Sequence, residues 1–438
     1  MAGGWTQIIR SDAWRGVGFL GVARIFGMVC GLATTVVWAR FMPADAFGEF
    51  KVITAAMAFV AGFCLLGTGQ VAIMAASKNQ DGAFALLLRH KVLANCLGSV
   101  ALGCGAGYYV FSAAGSQTIA YGLLAAALLF PLYNVSDIWM SWSNGKRRFN
   151  ELALGNILLS LLSLTATLIA AILAIKDVWL IILIYLFVLA CLNVAMLARA
   201  SAQRTNTDVD HSLFAYGRHA TAAMTFGSLL SLDVIIFNHF YAPQQVAEYV
   251  IALQLPLQLK GVLSLLGQVV APRLYAANSL MESWQGLRRP FWLISAALLG
   301  VGLVGFFTLP MLTGWLFSER YVHAAEYGKW LWLGLACTNP VTTFLGTALL
   351  ATRKRVFLYG PNIGHPVFQT ALYLVLVPMG IGGMVLARIT ASIGLAAFYI
   401  GAFVYLRARA VPAAQSVESN DAASKGISES AADLLTTE

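Results

Sequence analysis

The chain has 438 residues, of which 59% are hydrophobic and 11% are charged. A soluble domain carries about 25% charged residues, so this composition excludes an ordinary soluble protein and indicates a membrane protein. The net charge of +9 does not indicate nucleic-acid binding, because the basic residues are divided among loops of one predicted face.

Twelve apolar stretches follow one another along the chain, and each is long enough for a membrane span, which needs about 20 residues. The predicted spans cover residues 15–41, 47–75, 84–111, 118–143, 150–175, 178–200, 213–241, 246–272, 290–317, 325–351, 356–378 and 380–407. Residues 411–438 are rich in Ala, Ser, Asp, Glu and Thr and lack a periodic apolar face. That composition predicts a disordered tail.

Basic residues concentrate in or at the edges of every second gap between these spans, as at Lys78, Arg89 and Lys91, at residues 146–148 and at residues 353–355. Lys and Arg mark the cytoplasmic side of membrane proteins. Both termini and the tail are therefore predicted to be cytoplasmic, and the number of spans is predicted to be even. Four basic residues are predicted to fall on the other side: Lys51, Lys176, Arg320 and Lys329.

The sequence also resembles itself, since the pattern at residues 40–50 recurs at residues 239–249, an offset of 199. This repeat predicts two six-helix lobes, residues 1–205 and 206–410. An even number of helices in each lobe gives both the same orientation, so an axis along the membrane normal would relate them. Substrate is expected between such lobes, near the middle of the membrane.

Five charged residues inside the predicted spans are the candidates for a site, because an unpaired charge there costs at least about 2.5–3.5 kcal/mol. The cations are Arg24, Lys260 and Arg388, and the carboxylates are Asp137 and Asp233. We expect the cations to face a water-accessible cavity and the carboxylates to hold them in place. The alternatives are structural ion pairs, Arg24 with Asp137 and Asp233 with Lys260 or Arg388.

Three spans carry polar side chains at helical spacing, which is typical of helices that line a wet cavity. The predicted cavity residues are Asn134, Asp137 and Ser141 in the fourth span, Lys260, Ser264 and Gln268 in the eighth, and Asn362, His365 and Gln369 in the eleventh. Hydrogen bonding between helices is the alternative for Asn134, Ser141 and Gln369. For His365 the alternative is a buried packing role.

Motifs of enzymes and channels are missing from the sequence. It has no GxxxxGK[ST] phosphate loop, HExxH or GxSxG motif, arginine ladder or TVGYG-like filter. Its six cysteines lie in apolar spans without a CxxC pair, so neither a disulfide framework nor a metal site is expected. We predict a secondary transporter without a cofactor, in which one carboxylate exchanges H⁺ or Na⁺.

Three segments are similar to polysaccharide flippases of the O-antigen (Wzx) type. They are the corner at residues 39–50, the Gly-x-x-Arg-Phe turn at residues 145–149, and Asp233 followed by Glu248-Tyr249. Ala247 departs from the glycine usual in that family. The resemblance implies an all-α fold of about twelve transmembrane helices in two six-helix lobes. It is the MATE-like fold of the multidrug/oligosaccharidyl-lipid/polysaccharide (MOP) exporter superfamily.

The same resemblance implies a flippase in the bacterial inner membrane that works by alternating access. Its substrate would be an oligosaccharide linked to an isoprenoid (undecaprenyl) pyrophosphate, moved to the outer leaflet for cell-surface or exopolysaccharide synthesis. Other expected partners are membrane lipids and glycan polymerase or export machinery. Arg24, Lys260 and Arg388 would attract the pyrophosphate. The alternatives are a multidrug/cation antiporter of the same superfamily, a non-transporting scaffold of a glycan-assembly complex, and a membrane glycan polymerase or ligase.

Overall fold

The computed structural model describes residues 12–434, apart from residues 66, 113–115, 211, 277–279 and 353–354. Side chains are described between residues 18 and 408 with interruptions, of which the longest covers residues 264–283. Within this part of the chain the regular structure is helical and contains no strand. The predicted all-α class is confirmed.

Sixteen α-helices follow one another. They are α1 (Asp12–Phe41), α2 (Ala44–Phe63), α3 (Thr68–Ser77), α4 (Gly82–Phe111), α5 (Gln117–Tyr133), α6 (Ser136–Gly145), α7 (Phe149–Ile172), α8 (Val178–Ala202), α9 (Ser212–Thr225), α10 (Leu232–Phe240), α11 (Pro243–Ala276), α12 (Leu280–Phe317), α13 (Val322–Ala351), α14 (Arg355–Tyr359), α15 (His365–Leu376) and α16 (Gly380–Leu434). Short 3₁₀ or π turns cover Phe226–Ser231, Glu319–Tyr321, Gly360–Gly364 and Val377–Met379.

Ten segments of the described chain are long and apolar enough to cross a membrane, against twelve predicted spans. Two features explain the difference. The seventh predicted span is interrupted by a 3₁₀ turn and leaves only the shorter apolar helix Phe226–Phe240. The eleventh and twelfth lie in one segment, Gly360–Ala408. The chain turns between α15 and α16 at Gly380, whose φ of +66° is strained for other residues.

Two other predicted spans, 47–75 and 118–143, are each two helices where one was expected. The first breaks between α2 and α3, where Leu65 takes a left-handed φ of 58°. The second breaks between α5 and α6, just after Pro131, which cannot donate a backbone hydrogen bond. The Asn95 amide donates to the carbonyl oxygens of Pro131 (3.3 Å) and Asn134 (3.1 Å), so the exposed backbone groups find partners within the bundle.

Helix α16 extends to Leu434, into the stretch 411–438 for which composition predicts disorder. Alanine-rich sequence favours helix even without a packed face. Side chains after residue 408 lie outside the described part of the chain. The disordered cytoplasmic tail therefore stays a prediction.

The helices pack into two groups, called here the N-lobe (α1–α8) and the C-lobe (α9–α16). Extensive contacts join α1 to α7 and α5 to α8 in the N-lobe, and α12 and α11 to α13 in the C-lobe. The groups meet mainly where α2 lies along α11. Glycines make this approach possible, because a Cβ on Gly48 would lie 1.8 Å from the Pro243 carbonyl oxygen and one on Gly62 would lie 2.0 Å from Ser228 Cβ.

Hydrogen bonds join the lobes at the end of the bundle where α1 ends. This end is called here the outer end, after its predicted orientation. The Arg40 guanidinium donates from Nε to the Leu316 carbonyl oxygen (2.8 Å) and from Nη2 to that of Trp315. In the opposite direction, Arg320 donates to the carbonyl oxygen of Arg40 at 3.4 Å. Asn238 donates to the Tyr109 hydroxyl at 3.2 Å. The lobes are therefore closed against each other at this end.

The linker between the lobes, residues 203–210, is non-helical and is attached to the other end of the N-lobe. A carboxylate oxygen of the fully buried Asp81 accepts hydrogen bonds from the backbone and hydroxyl of Thr205, at 2.8 and 2.9 Å. Lys146 forms an ion pair with the same carboxylate. Burial alone raises the pKa of Asp81, but Lys146 and Thr205 outweigh it and hold that pKa below its ordinary value.

We expect Asp81→Asn to lower stability by about 3 kcal/mol, because it leaves Lys146 without its buried counter-charge. Since the folded pKa of Asp81 is lowered, the stabilisation is present above the pKa of the unfolded carboxyl, about 4. It is lost as the pH falls through the lowered folded value. Thermal unfolding of the purified protein against pH measures both effects.

The matched control for this prediction is Asp210→Asn. Asp210 forms a surface ion pair with Lys78, at 3.8 Å and with 56% of the lysine side chain exposed, and such pairs contribute little. Equal destabilisation by Asp81→Asn and Asp210→Asn would contradict the role given to Asp81.

Candidate functional site

Arg388 on α16 is held inside the C-lobe by an ion pair. Its Nη2 contacts the Asp233 carboxylate of α10, and its Nε donates to the Tyr249 hydroxyl at 3.1 Å. Tyr249 in turn donates to Asp233 at 2.7 Å, and the guanidinium lies 5.9 Å from the Tyr373 ring centroid. Of the two pairings considered for Asp233, with Lys260 or with Arg388, the structure shows the one with Arg388. Arg388 is therefore neutralised in this conformation.

Asp137 is also paired, and its partner is Lys91 of α4. The Lys91 Nζ lies 2.9 Å from the Asp137 carboxylate, and the lysine side chain is only 1% exposed. The alternative pairing of Asp137 with Arg24 is therefore wrong. Sequence reasoning missed Lys91 because it was assigned to a basic gap. The signal was present, since Lys91 and Asn95 stack one turn apart on α4 and face the polar residues of α5 and α6.

Arg24 and Lys260 form no ion pair among the described residues, and both side chains are exposed. They lie on facing helices of different lobes. A Cβ on Gly261 would lie 3.1 Å from Met28 Cε, and Met28 is one turn from Arg24 on the same face of α1. Arg24 and Lys260 are the same number of residues away from the outer ends of their helices, Phe41 in α1 and Pro243 in α11. In each case the distance along the helix is about 25 Å.

The polar residues of the eleventh predicted span lie near Lys260. His365 and Lys260 are close enough for their charges to interact, and Lys260 and Arg388 repel each other. The buried His365 Nδ1 has no hydrogen-bond partner among the described residues. Gln369 is buried and donates to the Tyr373 hydroxyl, which joins it to the Arg388 cluster. Asn362 lies in the π turn that precedes α15 and is partly buried.

The remaining predicted residues have structural contacts or lie outside the description. Asn134 donates to Asn95 Oδ1 at 3.0 Å and holds the break between α5 and α6. Ser141 packs between helices, because a Cβ on Gly69 of α3 would lie 2.9 Å from its hydroxyl. The side chains of Ser264 and Gln268 are not among the described residues.

The fold has relatives among solved membrane transporters. A multidrug resistance MATE family transporter of the MOP superfamily, in an inward-facing conformation, matches with a TM-score of 0.66 at 12% identity, over 89% of this chain and 99% of that chain. Lipid II flippase MurJ, in an inward closed conformation, matches with a TM-score of 0.66 at 11% identity, over 87% of each chain.

A MOP superfamily transporter from Pyrococcus furiosus, described by the reverse polarity of its binding pocket, matches with a TM-score of 0.62. Its sequence is 12% identical, and the match covers 92% of this chain and 98% of that chain. No curated protein sequence matches the chain.

The fold is that of these solved transporters, and its long apolar helices define a multi-pass membrane protein. Residues 13–277 match the family of polysaccharide biosynthesis proteins. The chain belongs to that family. The family resemblance noted in the sequence is confirmed.

We expect Arg388→Met to destabilise the C-lobe by about 3–5 kcal/mol, because it leaves the Asp233 carboxylate buried without a counter-charge. The double variant Asp233→Leu/Arg388→Met should regain much of this loss, since it removes both charges. Arg24→Met is the matched control and should change stability little, because Arg24 is exposed and unpaired among the described residues. Thermal unfolding of the four proteins measures this. A loss no larger for Arg388→Met than for Arg24→Met would show that the ion pair is dispensable.

Proposed function

We propose that this protein moves an isoprenoid-pyrophosphate-linked oligosaccharide from the cytoplasmic to the outer leaflet of the bacterial inner membrane, for cell-surface or exopolysaccharide synthesis. One observation carries the proposal. Arg24 and Lys260 are exposed on facing helices of the two lobes, whereas Asp137 and Asp233 are already paired. The excess charge between the lobes is therefore positive and suits an anionic substrate.

The chemistry of such a substrate fits these side chains. A pyrophosphate is attracted most strongly to cations where little water screens the charges. Arg24 and Lys260 would bind it from opposite sides, and the unpartnered His365 Nδ1 offers a hydrogen-bonding group beside Lys260. Arg388 would contribute little to this attraction, since its own charge is balanced by Asp233. The isoprenoid tail would stay in the lipid.

Alternating access requires the lobes to separate at the outer end. The bonds that must break include those from Arg40 to the end of α12, from Arg320 to the end of α1 and from Asn238 to the Tyr109 hydroxyl. None of these bonds joins two opposite charges, so exchange with water costs little compared with breaking a buried ion pair. The close contact of Gly48 and Gly62 with the C-lobe would serve as the pivot.

Coupling to an ion would use a carboxylate that water can reach. The Asp137 side chain is 31% exposed, compared with 4% for Asp233. One Asp137 oxygen is also buried without a hydrogen-bond partner among the described residues. We therefore favour Asp137 as the group that exchanges H⁺ or Na⁺, with Lys91 released when its charge is neutralised.

A multidrug antiporter has the same fold, so the fold does not decide between the two functions. Charge favours the flippase. An organic cation would need a free carboxylate, and both Asp137 and Asp233 are engaged by cations. A scaffold of a glycan-assembly complex would have no use for exposed cations facing each other between the lobes. Glycan polymerase or export machinery is instead proposed as a partner of the flippase.

The direction of transport depends on the predicted orientation, with both termini in the cytoplasm. In a cysteine-free background, a cysteine at Lys176 should react with a membrane-impermeant maleimide added to intact spheroplasts. A cysteine at Arg147 should react only after lysis. Both residues are exposed in turns at opposite ends of the bundle, so each controls for the other. The reverse labelling pattern would invert the proposed direction.

We expect Arg24→Ala and Lys260→Ala each to abolish transport while the protein still inserts, because each removes a charge that binds the pyrophosphate. The wild-type protein is depleted from cells that produce one of the variants. The amount of lipid-linked sugar in each leaflet is then measured. The sugar should accumulate on the cytoplasmic leaflet in both variants. Lys176→Ala is the control, and Arg24→Lys should retain part of the activity. Normal export by both alanine variants would falsify the proposed function.

A further inference from the structure

The N-lobe contains a partly buried cation with no carboxylate partner among the described residues. Lys51, predicted to fall on the outer side, is on α2 and lines a cavity of about 370 Å³ inside the N-lobe. Among the described residues, no carboxylate lies within ion-pair distance of its Nζ. Its recorded side-chain contact is with the Phe47 ring, whose centroid is 5.4 Å from Nζ. A buried lysine normally has a counter-charge.

The internal repeat shows why this lysine is unpaired. The offset of 199 residues places Phe50 opposite Tyr249 and Thr34 opposite Asp233. In the C-lobe, Asp233 and Tyr249 bind Arg388 and balance its charge. In the N-lobe, the position of that aspartate is occupied by Thr34, which lines the cavity together with Lys51. The sequence repeat therefore places a carboxylate at this position in the C-lobe and an uncharged hydroxyl in the N-lobe.

The remaining walls of the cavity favour a sugar. The polar groups that face it with Lys51 include Thr34, Thr54, Asn134, Ser163 and Tyr185. The Tyr185 hydroxyl accepts from Ser163 at 3.2 Å, which leaves its own proton free to donate. The volume lies in the range of small-ligand sites, about 300–1,000 Å³. Hydroxyls and an amide suit the hydroxyl groups of a sugar ring, and the ammonium suits an acidic group on it.

The cavity is placed to receive part of a substrate that enters between the lobes. Part of its wall comes from α1 and α2, which both contact α11 of the C-lobe, and Gly31 and Ala58 on those two helices are exposed. Lys51 follows the outer end of α2, Ala44, by seven residues, about 10 Å of helix. The cavity therefore lies nearer the outer end than Arg24 and Lys260 do.

We propose that the N-lobe cavity is a binding site for an acidic sugar unit, with Lys51 as the group that binds its carboxylate. This inference rests on the proposed function, because it assigns a glycan unit of the transported molecule to the N-lobe. The shared chemistry is an oxyanion, so the pyrophosphate headgroup is the competing source. The cavity would make the transporter select glycans that carry a negative charge.

Binding of free sugars to the full-length protein in nanodiscs of neutral phospholipid tests this directly. Saturation-transfer difference NMR with D-glucuronate and D-glucose as probes should show stronger binding of glucuronate. Lys51→Met should weaken glucuronate binding about tenfold or more, since a charge-assisted hydrogen bond is lost. Glucose binding should change little. Lys51→Arg should retain binding, and the exposed Lys176→Met should behave as wild type.

A second pair of variants tests the symmetry argument without removing the lysine. Thr34→Asp gives the N-lobe the anion that the C-lobe already has, and should abolish glucuronate binding. Thr34→Asn has nearly the same shape without the charge and should keep most of it. This pair decides the question if Lys51→Met does not fold.

Three results would overturn the assignment. They are equal binding of glucose and glucuronate, unchanged glucuronate binding in Lys51→Met and Thr34→Asp, and displacement of glucuronate from this site by inorganic pyrophosphate at lower concentration. The last result would assign the cavity to the headgroup. Since binding of free sugar does not require translocation, these outcomes are independent of the leaflet assay with Arg24→Ala and Lys260→Ala. Failure of one proposal is thus distinguishable from failure of the other.

Discussion

A charge inside the hydrocarbon layer must be balanced by a partner or reached by water, and this constraint organises the molecule. Each lobe uses one carboxylate to balance one cation, Asp137 with Lys91 and Asp233 with Arg388. The ion pairs thereby become part of the packed lobes. Arg24 and Lys260 are exposed on facing helices of the two lobes and form no ion pair among the described residues, and for this reason we propose them as the groups that bind a negatively charged molecule.

The same constraint explains where the helices break. Backbone groups exposed by a break cannot be solvated in lipid, so they must be bonded within the protein. Asn95 does this at the break near Pro131, and at the break between α2 and α3 the Gly67 amide donates to the Thr221 hydroxyl of the C-lobe at 3.1 Å. The second bond crosses between the lobes. A helix break thus also provides a contact between the lobes.

The two lobes differ in electrostatics. The C-lobe has a closed cluster of Arg388, Asp233 and two tyrosines, whereas the N-lobe has a lysine in an open polar cavity. Under the proposed function, the C-lobe cluster is structural and the N-lobe cavity provides contacts for cargo. Such an asymmetry is consistent with a fold that also supports a lipid flippase and multidrug transporters, since residues within the shared helices set the specificity.

The sequence by itself determined the membrane class, the approximate spans, the internal repeat and the in-span charges, because hydrophobicity and charge are properties of local segments. Tertiary structure alone decided the pairing. Asp137 forms an ion pair with Lys91, which was predicted to belong to a basic gap, and Lys51 lines a cavity. Which cation meets which carboxylate depends on how far each helix rotates and where it breaks, and those features are fixed by packing between segments distant in the chain.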